Sequence, residues 1–481
     1  MINISKRKLL DVHNSLLKKE FSAIEFVQEY FKNIEKKEKE LNIFVTLTKE
    51  KAMEMAKTVD EKIDKGIEIP LVAGVPSALK DNFSWENVRT TASSKILDDY
   101  IAPYNATVTQ RLLDQNVVFM GKTNMDAFAH GSSTETSDYG VTKNPYDTSR
   151  VPGGSSGGSS AAVAADFCTY AIGSETAGSV RGPASWCGLY GFAPTYGRFS
   201  RYGVIAMGSS LDRPGVLANS VVDCTIVSDV LAGQDSHDAT SIPEGKTDYY
   251  KKLSNKNTSI KIGVPKQFLD DRIDEVTRQM NLDVIKKYEK LGAKIIEIDL
   301  LDPKYSMAVY TIICRSEVSS NLARIDGIRY GHVSEQYAEN ILEQISLNRG
   351  EGFGNEAKQR SMTGAYALSS GYYDAYYKKA QRVRTLIIED FKKSFKEVDI
   401  IMGPTMPGPA PKIGVTKDNP LFGEMADLLT EPSALSGLPC ISIPIGFNKE
   451  GLPIGLQMFG PQFKEQLIFD TAYIFETLIN K

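Results

Sequence analysis

An α/β fold is predicted by the way short apolar segments alternate with helical repeats along the chain. "IKIGVP" (260–265) and "AKIIEIDL" (293–300) read as strands flanking a helix, the pattern of a crossover within a sheet. "LPCISIPIG" (438–446) and "LPIGLQMFG" (452–460) read as paired strands. With 42% hydrophobic and 24% charged residues, the chain has enough apolar material for a sizeable core. No repeat of fixed period and no low-complexity linker interrupts it. The 481 residues therefore read as one continuous domain, a helical N-terminal segment over 1–65 followed by a core over 70–481.

The elements follow in order. Residues 5–65 read as helical: Ser22 and Glu25 form a capping-box pattern, with Ile24, Val27 and Phe31 at helical spacing behind it. "IPLVAGVPSALKDNF" (69–83) reads as a buried strand ending in a turn, and its Lys80 is an unusual charge after an apolar run. Residues 108–133 read as helix, short strand, loop and helix. "SSAAVAADF" (159–167) has a small-residue helical pattern, and "CTYAIGS" (168–174) reads as a short strand. Residues 368–395 read as a long helix with an aromatic stripe suited to core or interface, and 399–414 as a strand running into a Pro/Gly loop.

Composition excludes several function classes. A net charge of −4 argues against an extended basic face that grips nucleic acid unaided. Five scattered cysteines without a CxxC pair argue against a disulfide framework or a zinc site. No apolar run reaches the ~18–20 residues of a membrane span, and the charged start lacks a signal-peptide core. A soluble, cytoplasmic protein without a membrane partner is expected.

The Gly/Ser stretch "VPGGSSGGSSAAVAADFCTYAIGSETAGSVRGPASWCG" (151–188) admits several readings. A flexible linker would not lead directly into tightly packing small residues. A phosphate loop needs a Lys after its glycines, and none is there. Residues 153–157 satisfy GxSxG, the nucleophile elbow, but that site needs a histidine base. Of four histidines only His237 and His332 lie downstream, both in polar surroundings. A serine nucleophile still needs something to take its proton. Lys80 can do so, because an amine in an apolar surround loses its charge readily and becomes a base. The second Gly/Ser cluster supplies Ser179, preceded by Thr176-Ala177-Gly178, whose backbone N–H groups could converge on one oxyanion.

Lys80, "GGSSGGS" (153–159) and "GSETAGSVRGPA" (173–184), at spacings of 75 and 24 residues between Lys80, Ser155 and Ser179, together resemble the amidase signature family. Blocks at 122–147, 194–212, 319–331 and 352–384 resemble, within it, the glutamine-hydrolysing subunits of tRNA-dependent amidotransferases. The resemblance covers nearly the whole chain. It implies a mixed central sheet sandwiched between helices. It also implies a catalytic triad in which Ser179 attacks the glutamine amide and Ser155, after a cis peptide bond, relays the proton to Lys80. Backbone N–H groups of Thr176, Ala177 and Gly178 would hold the oxyanion. Tyr310, Asp427, Gly131 and Ser132 would contact the substrate. The family's usual Lys-Arg-Arg is Lys358-Gln359-Arg360 here. Gln359 then stands where an arginine would clasp the α-carboxylate, which a neutral amide cannot do as an ion pair, and Arg360 is the alternative clasp. Arg181 is expected to brace its loop.

The resemblance further implies no metal and no cofactor in this chain. ATP and Mg²⁺ would serve a partner, with the B and C subunits of the amidotransferase and a misacylated tRNA as partners. Two other readings compete: a free-standing amidase acting on another small amide, which Gln359 favours, and a scaffold that has lost catalysis, which the presence of Lys80, Ser155 and Ser179 disfavours.

Overall fold

The computed structural model describes residues 2–419 and 421–480, so the ends of the single domain expected over 1–481, Met1 and Lys481, lie outside the described residues. Eleven strands build one mixed sheet: β1 (Phe44–Leu47), β2 (Pro76–Lys80), β3 (Val118–Thr123), β4 (Tyr170–Glu175), β5 (Tyr190–Ala193), β6 (Arg213–Ala218), β7 (Lys261–Pro265), β8 (Lys294–Ile298), β9 (Ile400–Pro404), β10 (Cys440–Phe447) and β11 (Pro453–Phe459). Their spatial order is β1-β3-β2-β4-β6-β5-β10-β11-β9-β7-β8. The pairs β2–β3, β2–β4, β7–β8 and β7–β9 are parallel, and the rest are antiparallel. As the sequence predicts, the 260–265 and 293–300 segments are parallel neighbours across a helix (Glu275–Lys290), and β10 pairs antiparallel with β11.

Two hydrophobic clusters lie against the sheet. Side chains alternate along a strand, and the clusters divide accordingly. Ile400 and Met402 of β9 join one cluster with Phe26, Val163 and Phe469, while Ile401 joins the other with Ile313, Ile387 and Phe391. The first cluster packs the N-terminal helices, among them Ala23–Leu41 with its Ser22/Glu25 capping box. The second packs the helices Pro303–Leu322, Asn355–Leu368 and Lys379–Ser394. Gly364 brings two of these together, since a Cβ there would fall 1.9 Å from the Arg315 carbonyl oxygen.

Three local expectations are corrected. The 5–65 segment is not all helix. Asn42 ends the second helix in the left-handed region (φ 53°), and the β-branched and aromatic run that follows forms β1 on the sheet edge against β3. After β3 only a single 3-10 turn forms, Ala127–Ala129, with Phe128 and Ala129 at positive φ. There the Asp126 carboxylate takes the backbone N–H groups of Ser133, Thr134 and Thr136, which a helix would have used otherwise. The 368–395 segment is broken near Gly371, and its helix proper begins at Lys379 after a π turn (Asp374–Lys378). Its aromatic stripe (Tyr372, Tyr373, Tyr376) is exposed and outside both cores.

A buried ion network locks the middle of the sheet to the loop after β4. Glu175 Oε1 accepts from Arg181 Nη2 at 2.9 Å and from Arg213 Nη2 at 2.7 Å, all three side chains being buried. Burial alone would raise the Glu175 carboxyl, but the two guanidinium groups hold it below its ordinary range. Arg181 also reaches Ser433, Gln457 and the carbonyls of Ala177 and Thr430, so it braces its loop. Replacing Glu175 by Leu leaves two buried cations with no counter-charge. The expected loss is about 3–5 kcal/mol, measured as a fall in the denaturant midpoint at unchanged m-value.

Candidate active site

Lys80 is the last residue of β2, a strand hydrogen-bonded on both sides, and its side chain is wholly buried. Ser155 and Ser156 lie in the loop that enters the helix Gly157–Ala164, and the Gly154–Ser155 peptide bond is cis. Ser179 lies in the loop between β4 and the helix Arg181–Trp186. Because β2 and β4 are parallel neighbours, their C-terminal ends and the loops beyond them meet at one place, where α/β sheets commonly build their sites.

Lys80 Nζ stands 2.7 Å from Ser155 Oγ, 2.9 Å from Ser156 Oγ and 3.1 Å from the Ser174 carbonyl oxygen. The Ser174 carbonyl can only accept. Ser156 Oγ donates its proton to that same carbonyl at 3.0 Å, so it too can only accept from the amine. A neutral amine has two N–H bonds and one lone pair. The two acceptors use the N–H bonds, and the lone pair is left for the Ser155 hydroxyl. Burial drives the Lys80 ammonium down to about 7, against the opposing pull of Asp126, Asp212 and Glu175. Ser156 and the Ser174 carbonyl therefore orient the base. Sequence reasoning misses both, although Ser156 adjoins Ser155 and the strand expected over 168–174 ends at Ser174.

Ser179 lines a narrow cavity with Gly131, Ser132, Tyr310, Arg360 and Asp427, which brings together most of the residues expected to contact substrate. Ser132 Oγ donates to Asp427 Oδ2 at 2.8 Å, and burial pushes the Asp427 carboxyl up to about 7. Arg360 gives Nε to Glu356 at 2.6 Å. Its terminal nitrogens have no protein acceptor among the described residues. The N–H groups of Ala177, Gly178 and Ser179 likewise meet no protein acceptor among them, while the Thr176 hydroxyl is held by Asp212 at 2.7 Å. The Ser156 N–H donates to the Ser179 carbonyl at 3.2 Å, tying the two serine loops together. No direct bond joins the Ser155 and Ser179 hydroxyls among the described residues.

Gln359 does not stand where the motif places it, and this is a correction. It is exposed and does not line the cavity, whereas Arg360 is buried and does. On the helix Asn355–Leu368 successive residues point about 100° apart. The face that packs toward Tyr310 carries Arg360, and its neighbour turns to solvent. The two histidines downstream of the GxSxG match are elsewhere: His237 pairs with Asp235 and His332 with Glu351. A larger cleft around Arg111, Asp229 and Lys246 shares no residue with the Ser179 cavity. Among the described residues no His/Cys/Asp/Glu cluster is arranged to hold a metal ion, and no helix is long and apolar enough to cross a membrane.

Comparisons with known proteins bear on the family. The family described as Amidase matches residues 25–469. The A subunit of glutamyl-tRNA(Gln) amidotransferase from Caldanaerobacter subterraneus subsp. tengcongensis is 50% identical over 461 residues, 96% of this chain and 94% of its own length. That of Thermoanaerobacter pseudethanolicus is 48% identical, over 97% of this chain and 95% of its own. Among solved structures, the same subunit of the Thermotoga maritima amidotransferase gives a TM-score of 0.82 at 34% identity, covering 99% of this chain and 96% of that one. A chain from a vestigial protein complex that bears on the origins of an s-triazine catabolic enzyme gives 0.86 at 30% identity, covering 98% of both. On a family match spanning most of its length and on near-full-length relatives of this similarity, the chain belongs to the amidase signature family that the motifs around Lys80, Ser155 and Ser179 resemble.

Proposed function

We propose that the chain is the glutamine-hydrolysing subunit, the A subunit, of a glutamyl-tRNA(Gln) amidotransferase. The observation that carries the hydrolytic reading is the buried Lys80 amine 2.7 Å from Ser155 Oγ, one loop away from a serine that lines a cavity. The near-full-length similarity to subunits of that name supports the substrate. Arg360 in the cavity disfavours the alternative of a free-standing amidase, because a guanidinium is available for the glutamine α-carboxylate.

Ser179 Oγ attacks the side-chain carboxamide carbon. Its proton passes through Ser155 to Lys80, which burial brings down to about 7, so that a substantial fraction is unprotonated at neutral pH and can accept it. The Ser179 hydroxyl has no hydrogen-bond partner among the described residues, which leaves it free to turn onto Ser155. The N–H groups of Thr176, Ala177 and Gly178 receive the oxyanion. Lys80 returns the proton to the departing nitrogen, ammonia leaves, and water then releases glutamate from the acyl-enzyme. Arg360 takes the α-carboxylate and Asp427, oriented by Ser132, the α-ammonium, with Tyr310 and Gly131 completing the wall. The ammonia goes to a partner, in a complex with the B and C subunits, that uses ATP and Mg²⁺ to amidate Glu-tRNA(Gln), and Asp-tRNA(Asn) is a further acceptor. Such a complex works in the cytoplasm.

Co-expression with the tRNA-binding partner is expected to raise glutaminase activity over that of the isolated chain, and robust activity indifferent to partner and tRNA would refute the assignment. Ser179→Ala is expected to abolish covalent labelling by a fluorophosphonate probe, and Lys80→Ala to lower kcat by about 10²–10⁴-fold with the fold retained by circular dichroism. Arg360→Ala should raise KM for glutamine on the order of 10- to 100-fold, whereas Gln359→Arg should leave it unchanged. Below pH about 7 Lys80 gains a proton and stops accepting one, and Asp427 gains a proton and loses the charge that holds the ammonium. The acid limb of log kcat/KM against pH should therefore approach a slope of about 2, falling to about 1 in Asp427→Asn. A slope of one in the unaltered enzyme would contradict this pairing.

A further inference from the structure

Asp126 precedes the 3-10 turn after β3 and is fully buried. Its Oδ2 accepts the N–H groups of Ser133 at 3.2 Å and Thr134 at 2.8 Å, and its Oδ1 accepts the Thr136 N–H at 3.3 Å and hydroxyl at 3.0 Å. A protonated acid would have to give up one of these acceptor positions to its own proton, so the set suits an anion. Burial raises the carboxyl above its ordinary range, against the opposing pull of Thr134, Thr136 and Lys80.

Two stretches of backbone run hard against this carboxylate. A Cβ at Gly154 would lie 2.0 Å from Oδ2, and one at Gly131 would lie 2.4 Å from Oδ1. Gly131 begins the cavity wall and Gly154 precedes Ser155. The Asp126 N–H also donates to the Ser155 carbonyl at 3.3 Å. Three acids bear on Lys80: Asp126, Asp212 and Glu175. Glu175 is matched by Arg181 and Arg213. Asp212 is held by the Thr176 hydroxyl and the N–H groups of Met207 and Gly208. Of the three, Asp126 pulls most strongly on the amine.

We propose that Asp126 is a positioning residue of the hydrolytic site: its carboxylate holds the Gly131–Ser132 wall against the Ser155 loop and places a negative charge beside Lys80, setting the pH at which the amine becomes a base. The proposal rests on the reading of Lys80 as base and Ser179 as nucleophile. An anion near Lys80 favours the ammonium, so its removal frees the neutral amine at lower pH.

The test is the pH dependence of Ser179 labelling by a fluorophosphonate probe, which needs no bound glutamine. In Asp126→Asn the acid limb is expected to move to lower pH by about 1 unit. KM for glutamine should also rise, because an amide accepts on only one of the two sides that face donors. A role confined to folding would lower activity and leave the limb in place, so an unmoved limb in a folded Asp126→Asn overturns the proposal. Should that variant fail to unfold cooperatively, Thr136→Val removes one donor and keeps the carboxylate. With the charge kept and one of its donors gone, the limb is expected not to move to lower pH while KM for glutamine rises, and a limb displaced to lower pH there overturns the proposal equally. If the unaltered chain shows no acid limb, the Lys80–Ser179 reading falls first and the proposal with it.

Discussion

Everything at this site depends on a primary amine taken wholly out of water at the end of a central strand. In bulk solvent lysine is a cation and useless as a base near neutrality. At the end of β2 burial brings it down to about 7. Burial alone would leave an unoriented amine. Two fixed acceptors, Ser156 Oγ and the Ser174 carbonyl, occupy its N–H bonds and direct the remaining lone pair at Ser155. The sheet supplies both halves, because β2 carries the amine and its parallel neighbour β4 carries the carbonyl.

The ion network behind β4 has a different task from the charges around Lys80. Glu175 with Arg181 and Arg213 is closed on itself and linked to carbonyls from three segments. It fixes the backbone of the loop that carries Ala177, Gly178 and Ser179 without projecting a side chain into the cavity. Arg360, whose terminal nitrogens meet no protein acceptor among the described residues, and Asp427 put both signs of charge on the cavity wall.

Much of this is legible in the sequence, for identifiable reasons. The strands at 260–265, 293–300 and 438–460 announce themselves because buried strands are short runs of β-branched residues between turn residues. Lys80 stands out because a charge after an apolar run is unusual. The N-terminal strand is masked by strong helical periodicity on both sides, a four-residue element being too short to show its own period. The turn at Ala127–Ala129 is masked because helix termination there comes from the Asp126 side chain reaching seven to ten residues ahead, which no local propensity records. Gln359 is misplaced because motif matching counts residues, whereas a helix sorts them by face. Ser156 escapes notice because it is one of several serines in the run, and only the geometry around the amine distinguishes them.

The order of groups, cavity then Ser179 then Ser155 then Lys80, has a consequence for chemical safety. A neutral amine is a better acyl acceptor than a hydroxyl, and an acyl group that reached it would be trapped as an amide, which water does not cleave on any useful timescale. In the proposed mechanism the acyl group forms in a cavity that Lys80 does not line, and the serine proposed to carry protons to the amine lies 2.7 Å from it. On that reading protons reach the nitrogen through Ser155 while the acyl group stays in a cavity the nitrogen does not enter, and the chain can hold a reactive amine close to its own acyl intermediate without inactivating itself.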